Sequence, residues 1–246
     1  MLMGPDVSKF QGNIDFTKLR ADFIIIATTD GLTSYNDKYY ATLANARKVG
    51  MPVGRYHFAQ SNNAVDEAYN FLNKISTDLI TGDLLFLDYE LPLPASDVDK
   101  ARMVTWCKAW LDKVYAHTNC RPLIYLNQNQ MNNANWKPVI DGGYGLWLAK
   151  YDYNPNAPTP TTPWSVLAFR QYSNKATYVG IPAPTDDNVF YGDITALKAY
   201  GYHGGVAPTP VDYKALYDAE VIKYNALKVK YDADEAKLTK IKTIVN

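Results

Sequence analysis

Neither sign of charge prevails in this 246-residue chain, where 25 lysines and arginines are balanced by 25 aspartates and glutamates. Without a basic surplus there is no broad electrostatic hold on nucleic acid or on an anionic membrane, and neither is expected as a partner. Cysteine is scarce. Cys107 and Cys120 are too few for a disulfide framework. The sequence leaves open one bridge or two free thiols, Cys107 falling on the apolar face of a helical pattern where a thiol is an ordinary core residue. The three histidines, His57, His117 and His203, stand far apart without metal-ligand spacing, so no metal and no other cofactor is expected. The longest unbroken apolar runs, Phe23 to Ala27 and Leu84 to Leu87, are much too short to cross a bilayer. The first residues, MLMGPDVSKF, lack the basic start and apolar middle of a secretion signal. Synthesis in the cytoplasm is expected, with a separate route out if the chain acts elsewhere. Gly-x-Ser-x-Gly elbows, phosphate-cradling glycine loops and Cys-x-x-Cys pairs are also missing.

What is present is a recurrence of short apolar runs. Strands are predicted at Met3 to Ser8, Phe23 to Thr28, Val53 to Phe58, Leu84 to Glu90, Pro122 to Leu126, Gly145 to Lys150, Val166 to Tyr172 and Asp187 to Phe190. Runs such as FIIIAT and LLFLDYE are apolar on both faces, as parallel strands covered by helices should be. Between them, Asn36 to Val49, closed by Gly50, reads as a helix. So do the stretches carrying Val65, Ala68, Tyr69, Leu72 and Ile75, and Val104, Cys107, Leu111 and Val114. Ser96 with Asp99 forms a capping pair ahead of the last. After Tyr125 the strands follow closely, joined by Asn-rich and Pro-rich loops with little room for helices. The expected fold is α/β: an irregular (β/α) barrel of about eight strands, helices missing in its second half, plus a C-terminal helix.

A boundary falls near Gly204. Residues 1–203 read as the barrel domain, 204–211 (GGVAPTPV) as a linker, and 212–246, free of Gly and Pro, as a helical segment. Tyr217, Tyr224, Tyr231, Leu238 and Val245 recur every seven residues. The partner positions are mixed, Tyr213, Leu227 and Ile241 being apolar while Glu220 and Asp234 are not. Two readings stand side by side: a helix packed on its own barrel, or a coiled coil joining copies of the chain into a homo-oligomer.

Chemistry is sought at the carboxyl ends of barrel strands. Asp6 ends the first predicted strand; Asp88 and Glu90 end the fourth. Residues i and i+2 of a strand share a face, so the pair should project together with Cα atoms roughly 6.5 Å apart. Two crowded carboxylates repel, and one then holds its proton more tightly. That is what a glycosidase needs: a protonated acid beside an ionised partner. The pair could equally be strand-end ion-pair partners. Twenty tyrosines, five tryptophans and eight phenylalanines supply rings for stacking on sugars, with Tyr56, Tyr125, Trp147, Tyr151 and Tyr172 near predicted strand ends.

In series, these pieces form a pattern. DVSKFQGNIDF at 6–16 resembles the Asp-Val-Ser-x-aromatic-Gln-Gly opening of family 25 glycoside hydrolases, the Chalaropsis-type lysozymes. GMPVGRYHF, LDYE, PLIYL, LWLAKY, FRQYS and DDNVF follow in that family's order, over roughly residues 4 to 200. The resemblance implies an N-acetylmuramidase that cleaves the β-1,4 bond between N-acetylmuramic acid and N-acetylglucosamine, with peptidoglycan strands as its partner. By position it implies Glu90 as general acid and Asp88 as the partner carboxylate. Asp6 and Asp186 would tune that pair, and Tyr56, Tyr125, Trp147 and Gln171 would line the groove. The family's Lys-Ala-Thr-Glu-Gly is here Ala27-Thr28-Thr29-Asp30-Gly31, Phe10 and Phe16 stand where tryptophan is common, and Asp187 competes with Asp186 for the fourth acid. A bacteriophage endolysin, made in host cytoplasm and acting at the cell wall after release, is the setting the resemblance implies. A non-catalytic glycan-binding protein or a virion-associated component that keeps the barrel is the alternative.

Overall fold

The computed structural model of the protein describes residues 1–205, 226–235 and 237. The chain divides into two units, Met1–Thr209 and Pro210–Asn246. In the first, eight strands close into a barrel: β1 (Leu2–Val7), β2 (Ile24–Asp30), β4 (Val53–Phe58), β5 (Leu84–Asp88), β6 (Leu123–Asn127), β7 (Leu146–Ala149), β8 (Leu167–Ala176) and β9 (Thr185–Phe190). A two-residue strand, β3 (Ser34–Tyr35), hangs on β2. From β1 through β2, β4, β5, β6 and β7 to β8 every neighbour is parallel. β9 then runs antiparallel to both β8 and β1 and completes the ring. Only eight residues separate β8 from β9, too few for the crossover a parallel strand requires.

The helices follow the sequence reading in the first half. α1 (Tyr39–Lys48), α2 (Ala64–Ile75) and α3 (Asp97–Thr118) cover the barrel. Ser96 caps α3 by accepting the Asp99 N–H at 3.1 Å, while its hydroxyl donates to the Asp99 carboxylate. Gly50, at φ +69°, ends α1 with its N–H on the Arg47 carbonyl. After β6 the helices shorten to α4 (Gln128–Asn133), α5 (Lys137–Asp141) and α6 (Ile194–Ala199). The Asn-rich stretch after Tyr125, expected as a loop, is therefore helical. Asn127 accepts the Gln130 N–H and Gln130 reaches back to the Asn127 N–H, a reciprocal cap that stabilises a turn of otherwise poor helix formers.

Two apolar layers hold the barrel. Outside, α2 and α3 bury Phe71, Leu72, Trp110 and Leu111 against Leu85, Leu87 and Ile124 of the strands. Inside, Phe86 lies 5.3 Å from Phe169 and 5.0 Å from Trp147, and fills the lower half of the barrel. Truncating so enclosed a ring costs about 3–5 kcal/mol. Gly4 is obligatory where β1 crosses Phe23, because a Cβ there would meet the Phe23 carbonyl oxygen at 2.1 Å. On the outer side of β4, fully buried Arg55 pairs with Asp78 and Asp83, with the Tyr39 hydroxyl on the same guanidinium. Cys107 and Cys120 are both buried free thiols.

In the second unit, residues 226–235 and 237 are helical, with Leu227, Val229 and Tyr231 exposed. Most of the expected linker (206–211) and the heptad positions Tyr217, Tyr224, Leu238 and Val245 lie outside the described residues. Among the described residues no helix is long and apolar enough to cross a membrane.

Candidate active site

The carboxyl ends of the parallel strands open into a cavity of about 360 Å³. Asp6 enters it from β1 and Asp88 from the last position of β5. The strand expected to run to Glu90 stops at Asp88, yet the alternation continues for two residues. Tyr89 turns outward into the core beneath α3, and Glu90 returns to the cleft. Asp186 comes from β9, opposite Asp6 in the antiparallel register. Its neighbour Asp187 faces the other way and accepts the hydroxyls of Tyr172 and Tyr178. Asp186, not Asp187, is the one that lines the cavity.

Electrostatics follow from this crowding. Among the described residues the cavity lining carries five carboxylates, those of Asp6, Asp30, Asp88, Glu90 and Asp186, against the single cation of Lys9. Asp88, 6% exposed at the floor, has its pKa raised well above the ordinary carboxylate value, first by burial and then by the charges of Glu90, Asp6 and Asp186. Its Oδ1 has no hydrogen-bond partner among the described residues, so it is free to accept one from a ligand. Glu90 stands exposed in the cleft, and desolvation and the Asp6 charge raise its pKa too. Burial, then Asp6 and Glu90, push Asp186 up to about 7. Asp6 is raised by burial, while the amides of Gln171 at 2.9 Å and Asn188 at 2.8 Å steady its Oδ2. Such a set holds fewer than its full complement of negative charges near neutrality and keeps a transferable proton in the cleft.

The polar wall is fixed just as firmly. Gln171 on β8 accepts the hydroxyls of Tyr125 at 2.8 Å and Tyr151 at 2.6 Å, which turns its amide N–H toward Asp6. Tyr56 also lines the cavity. Trp147, expected in the groove wall, is not among the lining residues. It is 1% exposed, donates its Nε1–H to Asn188 Oδ1 and packs behind Tyr125 and Tyr56. The narrow interior has to be filled, and the indole fills it. His57 lies buried between Thr29 and Glu67 and stacks on Trp110, outside the cleft.

The lining includes residues outside the expected site set. Tyr151 follows β7, Phe10 stands 78% exposed at the rim, and Asp30, Ser34, Tyr35 and Asn36 form the wall beyond β2. Three of these carried a signal: Tyr151 as an aromatic just past a predicted strand, and Phe10 and Asp30 as members of the pieces resembling the family's opening and its second strand end. The β2–β3 wall rests on a two-residue strand too short to leave a period. Among the described residues no group of three or more His, Cys, Asp or Glu is placed to hold a metal ion.

Comparisons with known proteins agree with this geometry. The sequence pattern described as "Glycosyl hydrolases family 25" matches residues 5–181. An autolytic lysozyme of Clostridium acetobutylicum is 26% identical over 198 residues, 77% of this chain and 56% of that protein's length. A muramidase from Acremonium alcalophilum superposes with a TM-score of 0.69 at 25% identity, covering 81% of this chain and 98% of that one. The catalytic domain of endolysin ply40, from bacteriophage P40 of Listeria monocytogenes, gives 0.61 at 26% identity, over 80% and 97%.

Proposed function

The chain belongs to family 25 of the glycosyl hydrolases, and from that premise and the cleft we propose that it is an N-acetylmuramidase acting on the peptidoglycan of bacterial cell walls. The observation that carries the reading is the meeting of Asp6, Asp88, Glu90 and Asp186 in one cavity, all with raised pKa values. Glu90, the acid exposed to the cleft, donates its proton to the departing glycosidic oxygen as the C1–O bond breaks. Asp88, at the floor, offers its unpartnered oxygen to the sugar whose C1 gains positive character, or to that sugar's acetamido N–H. A water completes the reaction: its hydroxyl goes to C1 and its proton restores the acid. Burial and then the Asp6 charge help Glu90 hold its proton, Asp186 adds to the crowding of the cluster by opposing ionisation of Asp88, and Tyr56, Tyr125 and Gln171 present ring faces and amide groups to the glycan.

Glu90→Gln tests this directly. The variant keeps the shape and loses the transferable proton, so release of reducing ends from purified peptidoglycan should fall by about a hundredfold or more. An undiminished rate would remove Glu90 from the reaction.

Similarity to a phage endolysin domain supports a wider setting, in which the protein is made in host cytoplasm and reaches the wall after release. Residues 212–246 are assigned to oligomerisation or docking. The exposed Leu227 and Tyr231 on the helix at 226–235 support this. The solution mass of the full chain should exceed one protomer and drop to one on removal of 206–246; a monomer in both forms would dismiss oligomerisation.

A further inference from the structure

On β8, Arg170 and Gln171 are neighbours that point to opposite faces of the barrel wall. Gln171 looks into the cleft. Arg170, fully buried on the outer face, spends all five of its N–H donors on one stretch of chain. Nε donates to the Lys150 carbonyl at 3.2 Å. Nη1 donates to the Ala157 carbonyl at 3.0 Å and to Thr159 Oγ1 at 2.7 Å. Nη2 donates to the Asp152 carboxylate and to the Asn154 carbonyl at 3.2 Å. The stretch it holds has no helix or strand of its own and includes Pro155 and Pro158. Its one reach into the cleft is Tyr151, whose hydroxyl donates to Gln171 at 2.6 Å. Two adjacent residues of one strand therefore grip the same segment from both sides.

We propose that Arg170 is a positioning residue of the cleft: by fastening residues 150–159 to the outside of β8 it sets the Tyr151 hydroxyl on Gln171, and through Gln171 the amide that holds Asp6. The physical logic is one of saturation. A segment held internally by no more than short turn contacts, such as the Ala157 N–H on the Asn154 carbonyl and the Asn154 N–H on Asp152, keeps much conformational freedom unless something outside it satisfies its carbonyls. A planar guanidinium with five fixed donors can satisfy five acceptors at once, which the single point charge of lysine cannot. Tyr125 alone would leave the Gln171 oxygen held by one hydroxyl, whereas the second donor adds to the bond on Asp6 in fixing the amide plane.

The inference rests on the hydrolase reading, and the test separates the two. Wild type, Arg170→Lys, Tyr151→Phe and the double variant are compared on purified peptidoglycan, with urea midpoints to establish that each is folded. Arg170→Lys should lower kcat about tenfold, the scale of a displaced active-site group. The double variant should be no slower than Arg170→Lys alone, because both changes cut the same link. Losses that multiply would overturn the proposal, since a clamp needed only for the fold acts independently of the Tyr151 hydroxyl. Should Arg170→Lys fail to fold, Asp152→Asn loosens the more exposed end of the same clamp and should likewise be non-additive with Tyr151→Phe. Crystal structures supply a readout that needs no catalysis. Tyr151 Oη departing from Gln171 in the clamp variant sustains the proposal, and Oη still within hydrogen-bond distance refutes it. A wild-type chain that releases no reducing ends overturns the hydrolase reading, and the crystal structures alone then decide the clamp.

Discussion

Replacing Asp186 with asparagine should make the protein more stable above neutral pH while it impairs hydrolysis. In the folded chain this carboxyl titrates at about 7, against an ordinary value of 3.8, because burial and then the charges of Asp6 and Glu90 oppose its ionisation. The folded state thus binds the proton more tightly than the unfolded chain does. The stability this confers is complete below about pH 4 and is lost as the pH rises through 7. A displacement of about 3 pH units, at about 1.4 kcal/mol each, sets an upper bound of about 4 kcal/mol. Asp186 is only partly buried and is repelled by two neighbouring acids that titrate with it, so solvent screening reduces the figure to about 2 kcal/mol. Asparagine carries no charge at any pH, and its amide can donate to Asp6 as the protonated acid does. Urea unfolding at pH 4, 6 and 8 should show no gain at the lowest pH, a partial gain at the middle one and about 2 kcal/mol at the highest. A gain of equal size at every pH, or a loss at pH 8, would refute the assignment of this group to a crowded acid cluster.

Two further outcomes follow from the same electrostatics and packing. In Asp6→Asn, the charge that helps hold the Glu90 proton is gone, so the pKa of the acid drops and the alkaline limb of the activity profile should move to lower pH; initial rates across pH 4 to 9 would show it, and an unmoved limb would separate Asp6 from the proton. Arg55→Met leaves Asp83 buried without its main cation and should cost about 3–5 kcal/mol in a urea titration, with hydrolysis by the folded fraction unchanged because the pair lies outside the cleft.

Particular residues show how far the sequence could be read. Leu84 was legible as a strand start because a run apolar on both faces, LLFL, stands out against amphipathic neighbours, and Val53 to Phe58 matches to the residue although Arg55 and His57 interrupt its apolar pattern. The α3 start was legible because Ser96 and Asp99 signal a cap at fixed spacing. The helix at Gln128–Asn133 was hidden by composition: its stability comes from side chains bonding back to main chain, a pairing that looks identical to loop chemistry in sequence. Asp186 and Asp187 could not be separated without the register of β9 against β1, which decides the face each presents. Trp147 looked like a wall residue because strand-end aromatics often are, and only the volume inside the closed ring places it beneath the wall. Arg170 stands within the FRQYS piece, yet its clamping role left no trace because three of its five acceptors are main-chain carbonyls, which carry no sequence signature.

The antiparallel last strand makes ring closure the birth of the enzyme. Asp6 stands on the first strand of the barrel, and its facing partner Asp186 on the last. Until β9 slots in beside β1, the two acids have no common solvent-poor space and no reason to contest a proton. A barrel lacking β9 would therefore present Asp6 without the acid that faces it, and the cleft without one of its walls. Lytic capacity arrives in one step, when the two far ends of the domain meet.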